Sequence, residues 1–301
     1  MTVAQAYLEC REIAKKEAKN FYYSFRVLPK HKSDAMCAVY AFMRRADDIS
    51  DDESKTIAER RRLMSEWVAE WHAVQGGAES GDPVFIAVRD TQARFGISDE
   101  LLGQLVQGTT MDLNAEPGEG VQVYQNFEEL YQYCYLVASV VGLVCIKIFG
   151  YSDPRAEKLA EETGIAFQLT NILRDVKEDV ERDRVYLPLD LLREYGASVA
   201  RVKELAAGKA ITSKEREMLM AIAAKAEGYY ASASELLPLI EPDSRAALWV
   251  LVTIYHGLLK KIEQARGDVF SRRVRVSTPA KLWVLARGMG MGAQNRRGVT
   301  A

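Results

Sequence analysis

The chain has 301 residues, of which 48% are hydrophobic and 27% charged, a composition typical of a globular protein with its own core. A net charge of −2 and a pI near 6.1 provide no overall basic field, so nucleic acid is not expected as a partner. Three widely spaced histidines and four cysteines without CxxC spacing are a poor basis for a zinc site or a histidine-based triad. Residues 1–20 carry charges where a secretory signal needs an apolar stretch, which predicts a cytoplasmic protein with reduced cysteines.

Helix-forming residues dominate the chain and alternating β-branched strands are nearly absent, so the predicted fold is all-α. A first helix over residues 3–18 precedes the aromatic segment NFYYSFRVLP, which we interpret as a loop closed by Pro29. A second helix over 33–49, capped by the serine at its first position, leads into the sequence YAFMRRADDISDD. Asp47 and Asp51 are four residues apart there, so on a helix both carboxylates lie on one face.

The middle of the chain predicts further helices and one long apolar element. A charged helix over 54–74 is followed by a loop and by two helices between residues 84 and 112, the second capped by Ser98. Residues 127–149 contain a run of 17 uncharged residues, fewer than the roughly 20 that cross a bilayer, so we expect a central core helix. Three small residues on it allow either close helix packing or a cavity: Ala138, Ser139 and Gly142.

A second acidic helix carries four polar groups on one side: Gln168, Asn171, Asp175 and Asp179. The residues before it are those of a buried helix, where carboxylates are costly unless a cation neutralises them. Hard oxygen ligands at helical spacing suit Mg²⁺. A single acidic run is more often a solvated surface. Two such runs favour one shared metal site, and each has an arginine suited to a diphosphate: Arg44 and Arg174.

The last third of the chain predicts helices and a basic segment. The second acidic helix stops before Pro188, and an exposed helical excursion follows. An Ala-rich helix over 213–236 and an apolar helix opening at Pro242 come next. The segment RGDVFSRRVRVSTPAKL is strongly basic and on its own is most simply a surface near anionic lipid headgroups. The Gly-rich residues 288–301 are expected to form a flexible tail.

Several sequence blocks resemble one known family in its order. YAFMRRADDISDD and NILRDVKEDVERDRVYLP are similar to the two aspartate-rich motifs of the squalene/phytoene synthase family, the head-to-head prenyl transferases. KNFYYSFRVLP resembles the family's N-terminal substrate-binding segment, YCYLVASVVG its mid-chain signature, and GDVFSRRVRVSTPAKL its C-terminal end. The resemblance implies one isoprenoid-synthase-type helical bundle over residues 1–287 around a central apolar cavity.

The resemblance also implies roles for individual residues. It implies catalytic roles for Tyr133, Asp47, Asp51, Asp175 and Asp179, the tyrosine orienting the diphosphate or stabilising a carbocation. It implies two or three Mg²⁺ ions, with Asp48 and Asn171 added to the four aspartates as ligands. It implies diphosphate binding by Lys19, Asn20, Arg44, Arg174, Tyr255 and Arg273. It implies a cavity wall containing Phe21, Phe25, Tyr40, Val137, Ala138, Gly142, Gln168, Asn171 and Tyr186, with Arg184 at its mouth and Asp112 nearby.

The implied activity is the Mg²⁺-dependent head-to-head (1'-1) condensation of two prenyl diphosphates with release of diphosphate. Two farnesyl diphosphates are the predicted substrates, giving presqualene diphosphate and squalene, because FYYSF, FMRRADD and YCYLVASVVG look nearer to bacterial squalene-pathway members. Phytoene synthesis from two geranylgeranyl diphosphates is the alternative. NADPH would be required only for squalene as the final product.

Other classes of protein remain as alternatives. A non-catalytic helical scaffold of the same fold could lose its acids, whereas all four expected aspartates are present here. A head-to-tail prenyl synthase or a terpene cyclase would also use acid-rich helices, but NILRDVKED fits them less well. For the enzyme, peripheral association with the inner face of the membrane would suit release of a lipid product, and a monomer and a homodimer are both compatible with the sequence.

Overall fold

The computed structural model describes residues 1–113 and 122–298, without the side chains of Lys19, Asn20, Asp112, Gln122 and residues 293–298. Within these ranges the regular secondary structure is almost entirely helical, which confirms the all-α prediction. The α-helices in chain order are α1 (Val3–Glu17), α2 (Lys19–Phe25), α3 (Lys30–Ser50), α4 (Ile57–Gln75), α5 (Pro83–Phe95), α6 (Asp99–Thr110), α7 (Phe127–Cys134), α8 (Val140–Phe149), α9 (Arg155–Glu181), α10 (Leu189–Glu194), α11 (Val199–Ala206), α12 (Ser213–Leu236), α13 (Pro242–Gln264) and α14 (Thr278–Gly298). A π-helical turn, Tyr135–Ser139, joins α7 to α8, and two short parallel strands pair: β1 (Gln122–Val123) and β2 (Arg184–Val185).

Side-chain caps fix the start of several helices. The Thr56 hydroxyl accepts a hydrogen bond from the Glu59 backbone N–H, and the Glu59 carboxylate accepts one from the Thr56 backbone, a capping box that starts α4. Thr212 and Glu215 form the same arrangement at α12. Ser98 caps α6, as predicted. These local signals explain why the first turns of these helices form where they do.

Two predicted boundaries were wrong near the N-terminus. The aromatic segment is helical from Lys19 to Phe25, not a loop. The next helix begins at Lys30 and not at Ser33, because Pro29 takes the position before its first turn and needs no N–H donor there. The Ser33 backbone N–H lies inside the helix and donates to the Pro29 carbonyl.

Two segments towards the C-terminus also differ from expectation. The excursion that contains α10 and α11 is not fully exposed, since Leu192, Val202 and Leu205 are buried in the core. Residues 288–298, expected to belong to a flexible tail, are the end of α14. Gly288 lets α14 lie directly on α13, where a Cβ at this position would stand 2.4 Å from a Val250 methyl.

The buried apolar side chains form two main cores. The first lies among α1, α3, α5 and α8, and the second among α9, α12 and α13. Partly exposed Phe21, Tyr135 and Val252 pack against both cores, so they mark the seam between them. The candidate site described below opens at this seam.

The apolar run Phe127–Phe149 crosses the middle of the bundle. Its length and composition would also suit a membrane span, but its π-helical turn is packed between α6 and α9. A Cβ at Gly108 of α6 would lie 2.5 Å from the Leu136 carbonyl oxygen, and one at Gly164 of α9 would lie 2.5 Å from the Ser139 Cα. The small residues near this turn therefore serve close helix packing, which is one of the two roles that the sequence allows for them, the other being to leave room for a cavity.

Candidate active site

The two acidic helices end beside each other. Asp51, which follows α3, lines a cleft of about 340 Å³ together with residues 181–184, which end α9 and lead into β2. Asp51 of the first acidic motif thus lies near the end of the helix that carries the second acidic motif. Within the described ranges, however, no three His, Cys, Asp or Glu side chains converge on a single point. Any metal bound between the two faces would therefore need further ligands, such as water or the oxygens of a phosphate.

A second and larger cleft, of about 500 Å³, lies between α3, α9 and the segment that leads into α14. Apolar side chains form one part of its wall: Phe21, Tyr40, Ile254, Leu258, Val274 and Val276. Basic side chains form another part: Arg174, Arg273, Arg275 and Lys281. A cleft built this way suits a ligand with an anionic head and an apolar body.

Asp175 is held between two arginines. Its carboxylate accepts hydrogen bonds from Arg174 and, across 98 positions of sequence, from Arg273, whose Nη2 lies 2.5 Å from Oδ1. Burial opposes ionisation of Asp175, but the two arginines outweigh it and hold its pKa below the usual range. Arg273 also lies 3.3 Å from Glu178. Asp175 therefore stays charged and links the acidic face of α9 to the basic wall of the cleft.

Asp179, one turn further along α9, is in the opposite situation. Burial and then the neighbouring charge of Asp175 raise the pKa of Asp179 to about 7, while Arg184 opposes the rise. Burial and the charge of Asp175 thus outweigh the effect of Arg184 on Asp179. A cation bound beside Asp179 would favour its charged form.

Unpartnered buried atoms indicate where a ligand fits. The Oδ1 atom of Asn171 is buried and has no hydrogen-bond partner, although its Nδ2 donates to Gln168 at 3.3 Å. Arg44 pairs with Asp48 at 2.7 Å, yet the Arg44 Nε is also buried without a partner. An amide oxygen one turn before Asp175 is a suitable ligand for a divalent cation, and a guanidinium nitrogen is a suitable donor to a phosphate. The residues present therefore fit a metal–diphosphate group.

Tyr255 supplies an aromatic wall next to Arg174. Its ring stacks on Phe167 at 4.5 Å between centroids and lies 5.8 Å from Phe21. Burial raises the pKa of Tyr255 to about 12, against the effect of Arg174, so the hydroxyl stays protonated and can donate a hydrogen bond. Tyr40 also lines the cleft, close to Arg44 and Asp47.

Two predicted aromatic residues lie together in the second core. Tyr133 and Tyr186 stack at 4.8 Å, and Tyr124 completes the cluster at 5.4 Å and 5.9 Å from them. The pairing of β1 with β2 brings this cluster together, because Tyr124 and Tyr186 directly follow the two strands. All three rings are buried, and none of them lines the 500 Å³ cleft.

The other predicted wall residues are placed as follows. Phe25 is buried in the first core, where its ring forms a T-shaped pair with that of Tyr40. Val137 and Ala138 are half-buried on the π-helical turn. Gly142 packs against α9, where a Cβ would meet the Ala160 carbonyl oxygen at 3.1 Å. The side chains of Lys19, Asn20 and Asp112 lie outside the described residues.

Several cleft residues were not predicted. Lys281 lines the cleft, and its pKa is lowered by burial and then by the nearby charges of Arg174 and Arg275. Both Lys281 and Arg275 belong to the basic segment of the sequence, in which the family resemblance points only to Arg273. Glu17, at the end of α1, also lines the cleft, and no sequence pattern pointed to it.

Comparisons with known proteins agree with this geometry. The profile described as squalene/phytoene synthase matches residues 14–280. Phytoene synthase from Arthrospira platensis is 33% identical over 94% of this chain and 92% of its own, and that from Mycobacterium tuberculosis is 32% identical over 95% and 91%. A dehydrosqualene synthase crystallised with a ligand superposes with a TM-score of 0.81 at 29% identity, covering 96% of each chain. Squalene synthase HpnC from Alicyclobacillus acidocaldarius shares the fold, with a TM-score of 0.78 at 23% identity over 88% of this chain and 95% of its own.

Proposed function

Since the chain belongs to the squalene/phytoene synthase family of prenyltransferases, we propose that it joins two prenyl diphosphates head to head and releases diphosphate. One observation carries the proposal. Arg273 contributes both to the basic wall of the 500 Å³ cleft and to the ion pair with Asp175 on the acidic helix. A diphosphate bound at the basic wall would thus lie next to the carboxylates that can bind its counter-ions.

We propose two or three Mg²⁺ ions as the cofactor, shared among Asp47, Asp48, Asp51, Asn171, Asp175 and Asp179, with substrate oxygens completing their coordination. When bound, Mg²⁺ would withdraw electron density from the diphosphate and stabilise it as a leaving group. The buried Asp179 carboxyl, whose charged form a cation would favour, and the unpartnered Asn171 Oδ1 support this choice.

The residues of the chain have three tasks in such a reaction. Arg44, Arg174 and Arg273 bind the diphosphate through charge-assisted hydrogen bonds, and the protonated Tyr255 hydroxyl can add another. Phe21, Tyr40 and their apolar neighbours exclude water from the allylic cation that remains after the diphosphate leaves. Aromatic faces favour that cation electrostatically.

The carbon–carbon bond then forms between the two chains. The double bond of the second prenyl diphosphate attacks the allylic cation, and loss of a proton gives a cyclopropyl diphosphate. A second ionisation opens the ring. The final product depends on whether the resulting cation is reduced by a hydride or loses a proton.

Substrate length has two candidates. The sequence relatives above 30% identity are named phytoene synthases, which favours two geranylgeranyl diphosphates. The superposed dehydrosqualene synthase, at 29% identity, favours two farnesyl diphosphates, the substrates predicted from the sequence. Reduction to squalene would in addition require NADPH.

Incubation of the purified chain with Mg²⁺ and either farnesyl or geranylgeranyl diphosphate, with and without NADPH, tests the proposal. Mass spectrometry of the extracted lipids should show a C30 or a C40 product, and EDTA should abolish its formation until Mg²⁺ is restored. With isopentenyl diphosphate added as a five-carbon acceptor, a product extended by five carbons in place of the C30 or C40 product would contradict the head-to-head reaction. Full turnover in EDTA would contradict its dependence on a metal.

Arg273→Gln is expected to raise the KM for prenyl diphosphate about tenfold, because a charge-assisted hydrogen bond to the diphosphate is lost. Arg272→Gln is the matched control, since the neighbouring side chain is exposed and does not line the cleft. Steady-state kinetics of the two variants measure the difference. Equal KM values for both would remove Arg273 from the diphosphate site.

A further inference from the structure

The C-terminal end of the chain has a net positive charge. Residues 269–301 contain seven of the 40 lysines and arginines and none of the 42 aspartates and glutamates. Because the whole chain has a net charge of −2, the remainder of the chain is acidic. Arg273, Arg275 and Lys281 of this segment line the 500 Å³ cleft, whereas Arg272 and Arg287 are exposed outside it.

Large apolar side chains are exposed on the same segment. Leu282, Trp283 and Met289 of α14 are 49%, 58% and 46% exposed, although the helix also has a properly buried side formed by Val284 and Leu285. A surface helix ordinarily presents polar residues to water opposite its buried side. We call Leu282, Trp283, Arg287 and Met289 the α14 outer face.

Trp283 does not stand alone on this face. The Arg287 guanidinium lies 5.4 Å from the Trp283 ring centroid and 5.3 Å from that of Trp249 on α13. Tryptophan is the side chain enriched at the boundary between lipid and water, and arginine beside it can reach the headgroups. The arrangement thus places an apolar ring, that of Trp283, next to a cation, that of Arg287.

We propose that the α14 outer face docks on the surface of a bilayer that contains anionic lipid. Charge complementarity selects this occupant over a second copy of the chain, because two such faces would bring cations together without an acid from residues 269–301 to offset them. Leu282 and Trp283 directly follow Lys281, so docking would hold the basic wall of the cleft near the lipid surface. This surface does not depend on the proposed reaction, and its test measures no catalysis.

Co-sedimentation of the full chain with vesicles tests the docking. We expect binding to vesicles of phosphatidylglycerol and phosphatidylcholine, and little binding to vesicles of phosphatidylcholine alone. Trp283→Gln should weaken binding about tenfold, through loss of apolar burial. Arg287→Gln should weaken it about fivefold, the factor that corresponds to about 1 kcal/mol per basic residue near an anionic surface. Added salt should weaken binding of the parent chain.

Leu8→Gln is the matched control, because Leu8 is 54% exposed on α1, outside the α14 outer face, and its loss should leave binding unchanged. Circular dichroism verifies that each variant is folded, and Met289→Gln replaces Trp283→Gln if the latter is not. Equal binding to both kinds of vesicle, or a loss with Leu8→Gln but not with Trp283→Gln, would overturn the proposal. So would a dimer in sedimentation analysis that Trp283→Gln converts to a monomer without any vesicle binding by the parent.

Discussion

Asp175→Asn is expected to lower turnover at least about 10²-fold while the chain remains folded, the magnitude typical of losing one electrostatic contact to a developing charge. The substitution keeps the size of the side chain but removes the charge that Arg174 and Arg273 share. It also removes a carboxylate from the side of α9 that carries the unpartnered Asn171 oxygen. Asp47→Asn in α3 should lower turnover by a similar factor. Steady-state kinetics with Mg²⁺ and circular dichroism of each variant measure the two parts of the prediction.

The control for charge alone is Glu217→Gln, an exposed acid on α12, which should retain the turnover of the parent chain. Comparable losses in Glu217→Gln would indicate a general effect of net charge. Turnover within a few-fold of the parent in a folded Asp175→Asn variant would contradict the role assigned to Asp175 and the metal site built on it.

The acidic faces were predictable because their signal is local. A spacing of four residues places Asp175 and Asp179 on one side of any helix, whatever surrounds it. The role of Ser98 was predictable for the same reason, because a capping side chain bonds to a backbone N–H within the next three residues. The helix over residues 213–236 was predicted with both ends correct for the same reason.

The features that sequence reasoning missed depend on contacts between distant segments. The ion pair between Arg273 and Asp175 joins positions 98 residues apart, and no spacing rule selects Arg273 over Arg272. Glu17 enters the cleft only because α1 ends there. The helical structure of residues 288–298 was not predicted, because glycine-rich sequence is typical of disorder. In the structure this helix packs on α13, and Gly288 allows the close approach because a Cβ there would clash with Val250.

The helix that carries Asp175 is positioned by its contact with the π-helical turn, and Gly164→Ala tests that contact. A Cβ at Gly164 would lie 2.5 Å from the Ser139 Cα and 2.8 Å from its backbone nitrogen. Backbone atoms cannot rotate away as a side chain can, so α9 or the turn must move. We expect the free energy of unfolding to fall by about 1–3 kcal/mol, the usual cost of overpacking a core. Urea denaturation measures it.

The same substitution should also lower kcat, and more than its stability cost alone explains. Asp175 lies eleven residues beyond Gly164 on one continuous helix, so a shift of α9 moves the carboxylate relative to Asp47. A displacement of about 1 Å at reacting groups can cost about 10²-fold in rate. Gly228→Ala is the control, because that glycine is exposed in α12 with nothing within 4 Å, and alanine there should stabilise the helix by up to about 1 kcal/mol. A Gly164→Ala variant that is destabilised but fully active would show that the position of α9 does not set the geometry of the acidic face.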